Sequence, residues 1–211
     1  MRVLVFGDSI TQGYWAVTNG WVDQVRSHYD SLKLKDLNGE DQPTVFNLGI
    51  SGNTSEDILL RIKAETVART ENNVLPIVLV QVGVNDSYED NNGKKVDSQT
   101  YKQNLRNIIN DINLNAEAII FIGSSANDDT LTAPAPWRSD LYYKSAEIKK
   151  YEDAMKEIAN EFSIEFIAVF DEFKKRLDIG EALLADGLHP NIDGHTAIYE
   201  IVMPKLQELL K

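Results

Sequence analysis

The sequence contains no cysteine, which excludes a disulfide framework, a thiolate nucleophile and a cysteine-based zinc site together. Cationic residues are in deficit, with 21 Lys and Arg against 33 Asp and Glu, a formal charge of -12. A field of that sign repels phosphates and anionic bilayers, so no nucleic-acid partner is expected. Long apolar runs are missing too. No stretch approaches the ~18 to 20 apolar residues of a membrane span, and no stable membrane insertion is expected. The first apolar run, Val3 to Phe6, is broken by Gly7 and Asp8 and is shorter than the ~7 to 15 residues of a secretory leader core. The expected location is cytoplasmic. Repeats, low-complexity tracts and linkers are also absent, so the 211 residues, 43% of them hydrophobic, read as a single domain over 1–211 that buries its own core.

What is present is an alternation of two patterns. Short, continuously apolar runs recur at Val3 to Phe6, Val45 to Leu48, Ile77 to Val82, Ala118 to Ile122 and Phe166 to Phe170. Runs without polar alternation suit strands buried on both faces, as in a parallel sheet. Between them lie segments of helical spacing. One carries Ile58, Leu59, Ile62 and Val67 behind Thr54 and Asp57, the spacing of a capping box. Another carries Tyr101, Leu105, Ile108, Ile109 and Ile112 behind Ser98 as N-cap. Further helices are predicted from about Ser139 to Phe162, over Asp171 to Leu177, and from about Asp193 to the C-terminus. Five strands joined by helical crossovers predict an α/β fold, a three-layer doubly wound sandwich around a five-stranded parallel sheet of flavodoxin-like type. Two long polar loops, Ser87 to Asp97 and Ser124 to Arg138, follow the third and fourth strands. Ligands of open parallel sheets bind beyond the strands' carboxyl ends, where both loops must lie.

The same ends carry the residues suited to chemistry. Gly7-Asp8-Ser9 follows the first strand directly, and a small hydroxyl residue on a Gly-supported turn can approach a substrate unobstructed. Alone, Ser9 reads as the cap of the helix or turn that follows. Asp186-Gly187-Leu188-His189-Pro190 lies just before the last helix, and Asp and His three residues apart can meet within one local turn. Alone, that pair is a loop-capping Asp beside a solvated His. Serine needs a base, so Ser9 and the Asp186/His189 pair support each other. Two further turns, Gly49-Ile50-Ser51-Gly52-Asn53-Thr54 and Gly83-Val84-Asn85-Asp86, offer backbone N–H groups and the Asn85 side-chain amide to a developing oxyanion. Each also reads as an ordinary turn.

In this order, the motifs resemble those of the SGNH hydrolases, the GDSL family of lipases and acylhydrolases, over almost the entire chain from Ser9 to His195. Gly7-Asp8-Ser9-Ile10-Thr11-Gln12-Gly13 matches the family's first block, with Ile10 where the family's name has leucine. Asn47 to Thr54 matches the second, Gly83 to Asp86 the third, and Asp186 to Pro190 the fifth. The resemblance implies Ser9 as nucleophile, His189 as base, Asp186 as the acid that orients it, and an oxyanion hole from Ser9, Gly52 and Asn85. It implies hydrolysis of carboxylic esters, with a small-molecule ester as substrate and no cofactor or metal. The absence of an extended greasy lid predicts short acyl groups. No Gly-x-Ser-x-Gly elbow is present, so an α/β-hydrolase fits less well.

Two rival readings are kept. Asp8, Asp86 and Asp186 at one sheet edge would suit Mg²⁺ and a metal-dependent phosphohydrolase, although no basic residue sits beside them to take a phosphate. A non-enzymatic flavodoxin-like binding module could cradle a flavin phosphate on Ser9 to Gly13, which leaves Asp186 and His189 without a task. Other conspicuous residues take plainer roles: His28 on a helix surface, His195 as a structural or capping residue, Tyr14 and Trp15 as pocket lining or core packing, and Trp137 as a rim residue. Lys144 to Glu157 reads as a solvated helix face with (i, i+4) charge pairs.

Overall fold

All five apolar runs become strands of one parallel sheet. The protein is described by a computed structural model over residues 1–37 and 42–210. In chain order the elements are β1 (Arg2–Gly7), α1 (Ser9–Gln12), α2 (Trp21–Lys35), β2 (Thr44–Gly49), α3 (Ser55–Val67), β3 (Ile77–Gln81), α4 (Val84–Ser87), β4 (Glu89–Asp90), β5 (Gly93–Lys94), α5 (Ser98–Ile112), β6 (Ala118–Ile122), α6 (Asp129–Thr132), α7 (Ser145–Phe162), β7 (Glu165–Ile167), α8 (Phe170–Asp178) and α9 (Ile192–Leu209). Lys211, the end of the predicted last helix, lies outside the described residues.

The sheet order is β2-β1-β3-β6-β7, with every pairing parallel. Alternate residues of each strand enter different cores. Val3, Val5, Leu79 and Ile120 pack against α2, α8 and α9 through Trp21, Val25, Phe173, Ile198 and Val202. Leu4, Phe6, Val78, Val80 and Phe121 pack against α3, α5 and α7 through Ile58, Ile62, Leu105, Ile108, Met155 and Ile158. This is why the strands show no polar alternation: neither sheet face meets water. The crossover from β1 to β2 uses one face and that from β2 to β3 the other, so the chain changes direction at β1 and opens a crevice beyond its carboxyl end. Gly7 closes this end tightly, since a Cβ there would lie 2.0 Å from Thr11 Oγ1 and 2.6 Å from the Gln81 carbonyl.

Several boundaries differ from the sequence reading for identifiable reasons. The capping box of α3 is present, with the Thr54 N–H 2.8 Å from Asp57 Oδ2. Helix α5 is capped by Asp97, whose side chain accepts from the amides of Gln99 and Thr100, and Ser98 is its first residue. The last strand ends at Ile167, because Val169 and Phe170 turn into α8. Helix α7 begins at Ser145 rather than near Ser139: Tyr142 instead exchanges backbone hydrogen bonds with Glu89, and the Tyr143 N–H donates to the Thr132 carbonyl. Glu152 departs from the solvated face expected over Lys144 to Glu157. It is buried, accepts from the Phe170 N–H at 3.0 Å, and burial pushes its carboxyl up to about 7.

The two long loops pack on each other. The Ser87 to Asp97 segment folds into the β4–β5 hairpin, and the Ser124 to Arg138 segment contains α6. Asn127 Nδ2 ties the second loop together through Thr132 Oγ1 at 2.7 Å and the Tyr143 carbonyl at 3.2 Å. Among the described residues, no helix is long and apolar enough to cross a membrane.

Candidate active site

At the end of β1 the Asp8 carboxylate accepts the Ile10 N–H at 2.9 Å and caps α1. The capping role that Ser9 alone could have taken therefore belongs to Asp8, and Ser9 Oγ is free to face the crevice. Burial pushes the Asp8 carboxyl up to about 6, against the lowering effect of the Ile10 amide. Ser9 Oγ lies 3.1 Å from His189 Nε2, across 180 residues of chain.

His189 arrives on the turn between α8 and α9. That turn is anchored by buried Leu188, by the Ala185 N–H to the His189 carbonyl at 2.9 Å, and by the Asp128 N–H to the Gly187 carbonyl at 2.8 Å. Within it, His189 Nδ1 lies 2.8 Å from Asp186 Oδ2, while Asp186 Oδ1 accepts the amides of Leu188 at 3.0 Å and His189 at 2.8 Å. A carboxylate at Nδ1 puts the proton on that nitrogen and turns the Nε2 lone pair towards Ser9. Burial alone would raise the Asp186 carboxyl. The hydrogen bonds from the His189 ring and amide outweigh it and hold the group at about 2.

The other two strand ends complete the crevice. After β2, Gly52 turns the chain at φ 83°, in the left-handed region that favours glycine, and an added Cβ would meet nothing within 4 Å. After β3, Asn85 Nδ2 donates to the Asn53 carbonyl at 3.0 Å and Asn85 Oδ1 accepts from the Tyr143 hydroxyl at 3.1 Å. Tyr143 thereby decides which way the amide points. Asp86 is buried and accepts the N–H and hydroxyl of Ser55, which lashes the β3 turn to the start of α3; burial pushes its carboxyl up to about 7.

These groups share one cavity of about 280 Å³, lined by Ser9, Tyr14, Trp15, Ser51, Gly52, Asn85, Trp137, Tyr143, Asp186 and His189. All five residues singled out in the sequence, Ser9, Gly52, Asn85, Asp186 and His189, are in it. Tyr14 and Trp137 flank the imidazole, with ring centroids 4.9 and 5.7 Å from that of His189. Tyr14, Trp15 and Trp137 are 41%, 51% and 46% exposed, which makes them walls of the mouth rather than core. A larger open groove of about 560 Å³, between α6 and the 174–184 segment, contains none of the five.

The structure adds two things that sequence reasoning missed. Tyr143 carried no signal, because its neighbourhood has the pattern of a helix start. Trp15, which the sequence leaves between pocket lining and core packing, lines the cavity and also places its indole N–H 2.8 Å from Asp186 Oδ2. His195 is fully buried and structural, and His28 sits on α2 against Gln207. The three carboxylates of the metal reading are each engaged by separate protein donors: Asp8 by Ile10, Asp86 by Ser55, and Asp186 by His189, Leu188 and Trp15. Among the described residues, no group of three or more His, Cys, Asp or Glu is placed to hold a metal ion.

Comparison with known proteins agrees with this architecture. The model of the "GDSL-like Lipase/Acylhydrolase family" matches residues 5–197. A lipase/acylhydrolase from Enterococcus faecalis is similar in structure, with TM-score 0.76, 23% identity, and coverage of 100% of this chain and 97% of that one. An acetylxylan esterase from Geobacillus stearothermophilus gives TM-score 0.75 at 22% identity, covering 97% and 93% of the two chains. A lipolytic protein of the G-D-S-L family from Veillonella parvula gives TM-score 0.71 at 20% identity, covering 97% of each. At these identities the likeness speaks for the fold. No curated protein sequence matches the chain significantly.

Proposed function

Because the chain belongs to the GDSL-like lipase/acylhydrolase family, matched over residues 5–197, we propose that it is a serine esterase acting as one catalytic domain, without a metal, through Ser9, His189 and Asp186. The observation that carries this reading is the unbroken relay of Ser9 Oγ, His189 Nε2 and Nδ1, and Asp186 Oδ2, with contacts of 3.1 and 2.8 Å. His189 takes the Ser9 proton as Oγ attacks the ester carbonyl, then gives that proton to the leaving alcohol. A water molecule repeats the sequence on the acyl-enzyme. Asp186 stays ionised throughout and stabilises the imidazolium.

The negative charge of the tetrahedral intermediate is met by the N–H groups of Ser9 and Gly52 and by Asn85 Nδ2. That amide carries two protons, so one remains available while the other is held by the Asn53 carbonyl. Such a donor meets full charge only in the transition state. We expect Asn85→Ala to lower kcat by ~10² to 10³ with a smaller change in KM. Steady-state kinetics decides this, and a raised KM with unchanged kcat would move the oxyanion hole elsewhere.

A cavity of about 280 Å³ has little room for a long acyl chain beside an alcohol. Short acyl groups are therefore the proposed substrates. The three half-exposed rings at the mouth suit the flat face of a sugar, and one similar structure is an acetylxylan esterase, so acetylated saccharides belong among the esters tried first. The test is a series of p-nitrophenyl esters from acetate to palmitate, with acetylated xylose beside it, before and after exhaustive chelation. Acetyl or butyryl esters should give the highest kcat/KM, unchanged by chelation. Preference for palmitate would refute the short-acyl assignment. Activity abolished by EDTA and restored by Mg²⁺ or Mn²⁺ would instead recast Asp8, Asp86 and Asp186 as ligands.

A further inference from the structure

The carboxylate of Asp186 has more donors than the pair with His189 needs. Four N–H groups converge on it, and on Oδ2 the imidazole Nδ1 is joined by the Trp15 indole Nε1, each at 2.8 Å. Trp15 lies 171 residues away in sequence, at the start of a loop that joins α1 to α2, so nothing local forces the contact.

The loop itself is built to make it. Trp15 and Val17 both have left-handed backbones, with φ 62° and 54°, a region non-glycine residues seldom occupy and β-branched ones least of all. Val17 is 87% exposed, so no burial of its side chain accounts for that conformation. Strained backbone persists where surrounding contacts over-determine it, and here two such contacts are evident. Buried Ala16 anchors the middle of the loop. Fully buried His195 spans its ends: Nδ1 accepts the Trp21 N–H at 3.4 Å, while Nε2 faces the Tyr14 carbonyl at 3.2 Å. That pattern requires the neutral ring with its proton on Nε2, and burial pushes His195 towards the neutral form. One imidazole thus fixes residues 14 and 21, and between them the strained turn carries the Trp15 ring out over the turn that bears Asp186.

We propose that Trp15 is a positioning residue for the acid–base pair, its indole N–H locking the rotamer of the Asp186 carboxylate so that Oδ2 stays in line with His189 Nδ1, with His195 as the clasp that holds the loop in place. The inference rests on the serine-esterase reading and deepens it. Because the ring also walls the cavity, Trp15 has two separable roles: the ring contributes to substrate binding, and the N–H acts through Asp186 on the chemical step.

The test separates them. Trp15→Phe keeps a smaller aromatic wall and removes the donor, so loss of wall reads out in KM and loss of the N–H in kcat. Because Trp15 is half-exposed the variant should fold, and thermal unfolding verifies that. The expected result on p-nitrophenyl acetate is a kcat lowered ~10-fold, the scale of one hydrogen bond to a charged group, with KM within about twofold of the unmodified protein. The low-field proton resonance of His189 Nδ1–H should also shift, which a wall residue would not cause. In an Asp186→Ala background, which leaves the indole no acceptor, the same substitution should add almost nothing to the loss in kcat. A Trp15→Phe protein with unchanged kcat, or with raised KM alone, overturns the inference. So does a full, additive loss in the Asp186→Ala background. An Asp186→Asn protein with near-native activity would be a different failure, that of the serine-esterase reading itself.

Discussion

Ser9→Ala is expected to leave a folded protein whose esterase activity has fallen at least ~10³-fold, because nucleophile and base act as a unit. The fold should barely notice. The helix cap at this turn is Asp8 on the Ile10 amide, and the Ser9 side-chain hydroxyl has His189 Nε2 as its partner, so the change removes one oxygen and no structural hydrogen bond. Thermal unfolding should stay within a few degrees, and kcat/KM on p-nitrophenyl acetate should collapse. The residual rate measures what the oxyanion donors do without a nucleophile. Near-native turnover at unchanged stability would remove Ser9 from the mechanism.

Asp186→Asn should also lower kcat by orders of magnitude, ~10⁴-fold, and the hydrogen-bond pattern shows why the isosteric amide cannot substitute. All four partners of the carboxylate are N–H donors: the amides of Leu188 and His189 on Oδ1, and the rings of His189 and Trp15 on Oδ2. Asparagine presents one oxygen and one NH₂. Whichever way it turns, an NH₂ faces two donors. If the NH₂ faces the imidazole, His189 moves its proton to Nε2 and can no longer accept one from Ser9. If it faces the backbone amides, the turn carrying His189 loosens. The first orientation reduces activity with little change in stability, and the second reduces both, so kinetics and thermal unfolding together identify which occurs. Activity within tenfold of the unmodified protein would show that Asp186 is not the group that orients the base.

Much of this site was legible in the sequence because its parts are local. Gly7-Asp8-Ser9, Gly49 to Thr54, Gly83 to Asn85 and Asp186 to His189 each lie within a single turn of chain, where a few residues and their backbone preferences suffice to define the geometry. Their order along the chain matches that of the family's blocks. The sequence predicts α7 from about Ser139, because the hydrophobic periodicity of Leu141 and Tyr143 continues that of α7, whereas the helix begins at Ser145. In the folded chain those side chains are instead buried, and the backbone bridge to Glu89 pulls them out of the helix.

By itself the sequence determined the alternation of apolar runs and amphipathic helices, the doubly buried sheet that follows from it, and the pairings between residues three apart, Thr54 with Asp57 and Asp186 with His189. Such contacts depend on backbone dihedrals over one turn, and those are set by the residues of that turn. The tertiary structure decided that Ser9 meets His189 across 180 residues, that Tyr143 aims the Asn85 amide across 58, and that Trp15 reaches Asp186 across 171. It also decided that Glu152, in a run with every mark of a solvated face, is buried against Phe170. Those contacts exist because burying two cores on a sheet with the order β2-β1-β3-β6-β7 brings particular loops to one edge, and that arrangement minimises exposed apolar area over the entire chain rather than over any segment of it.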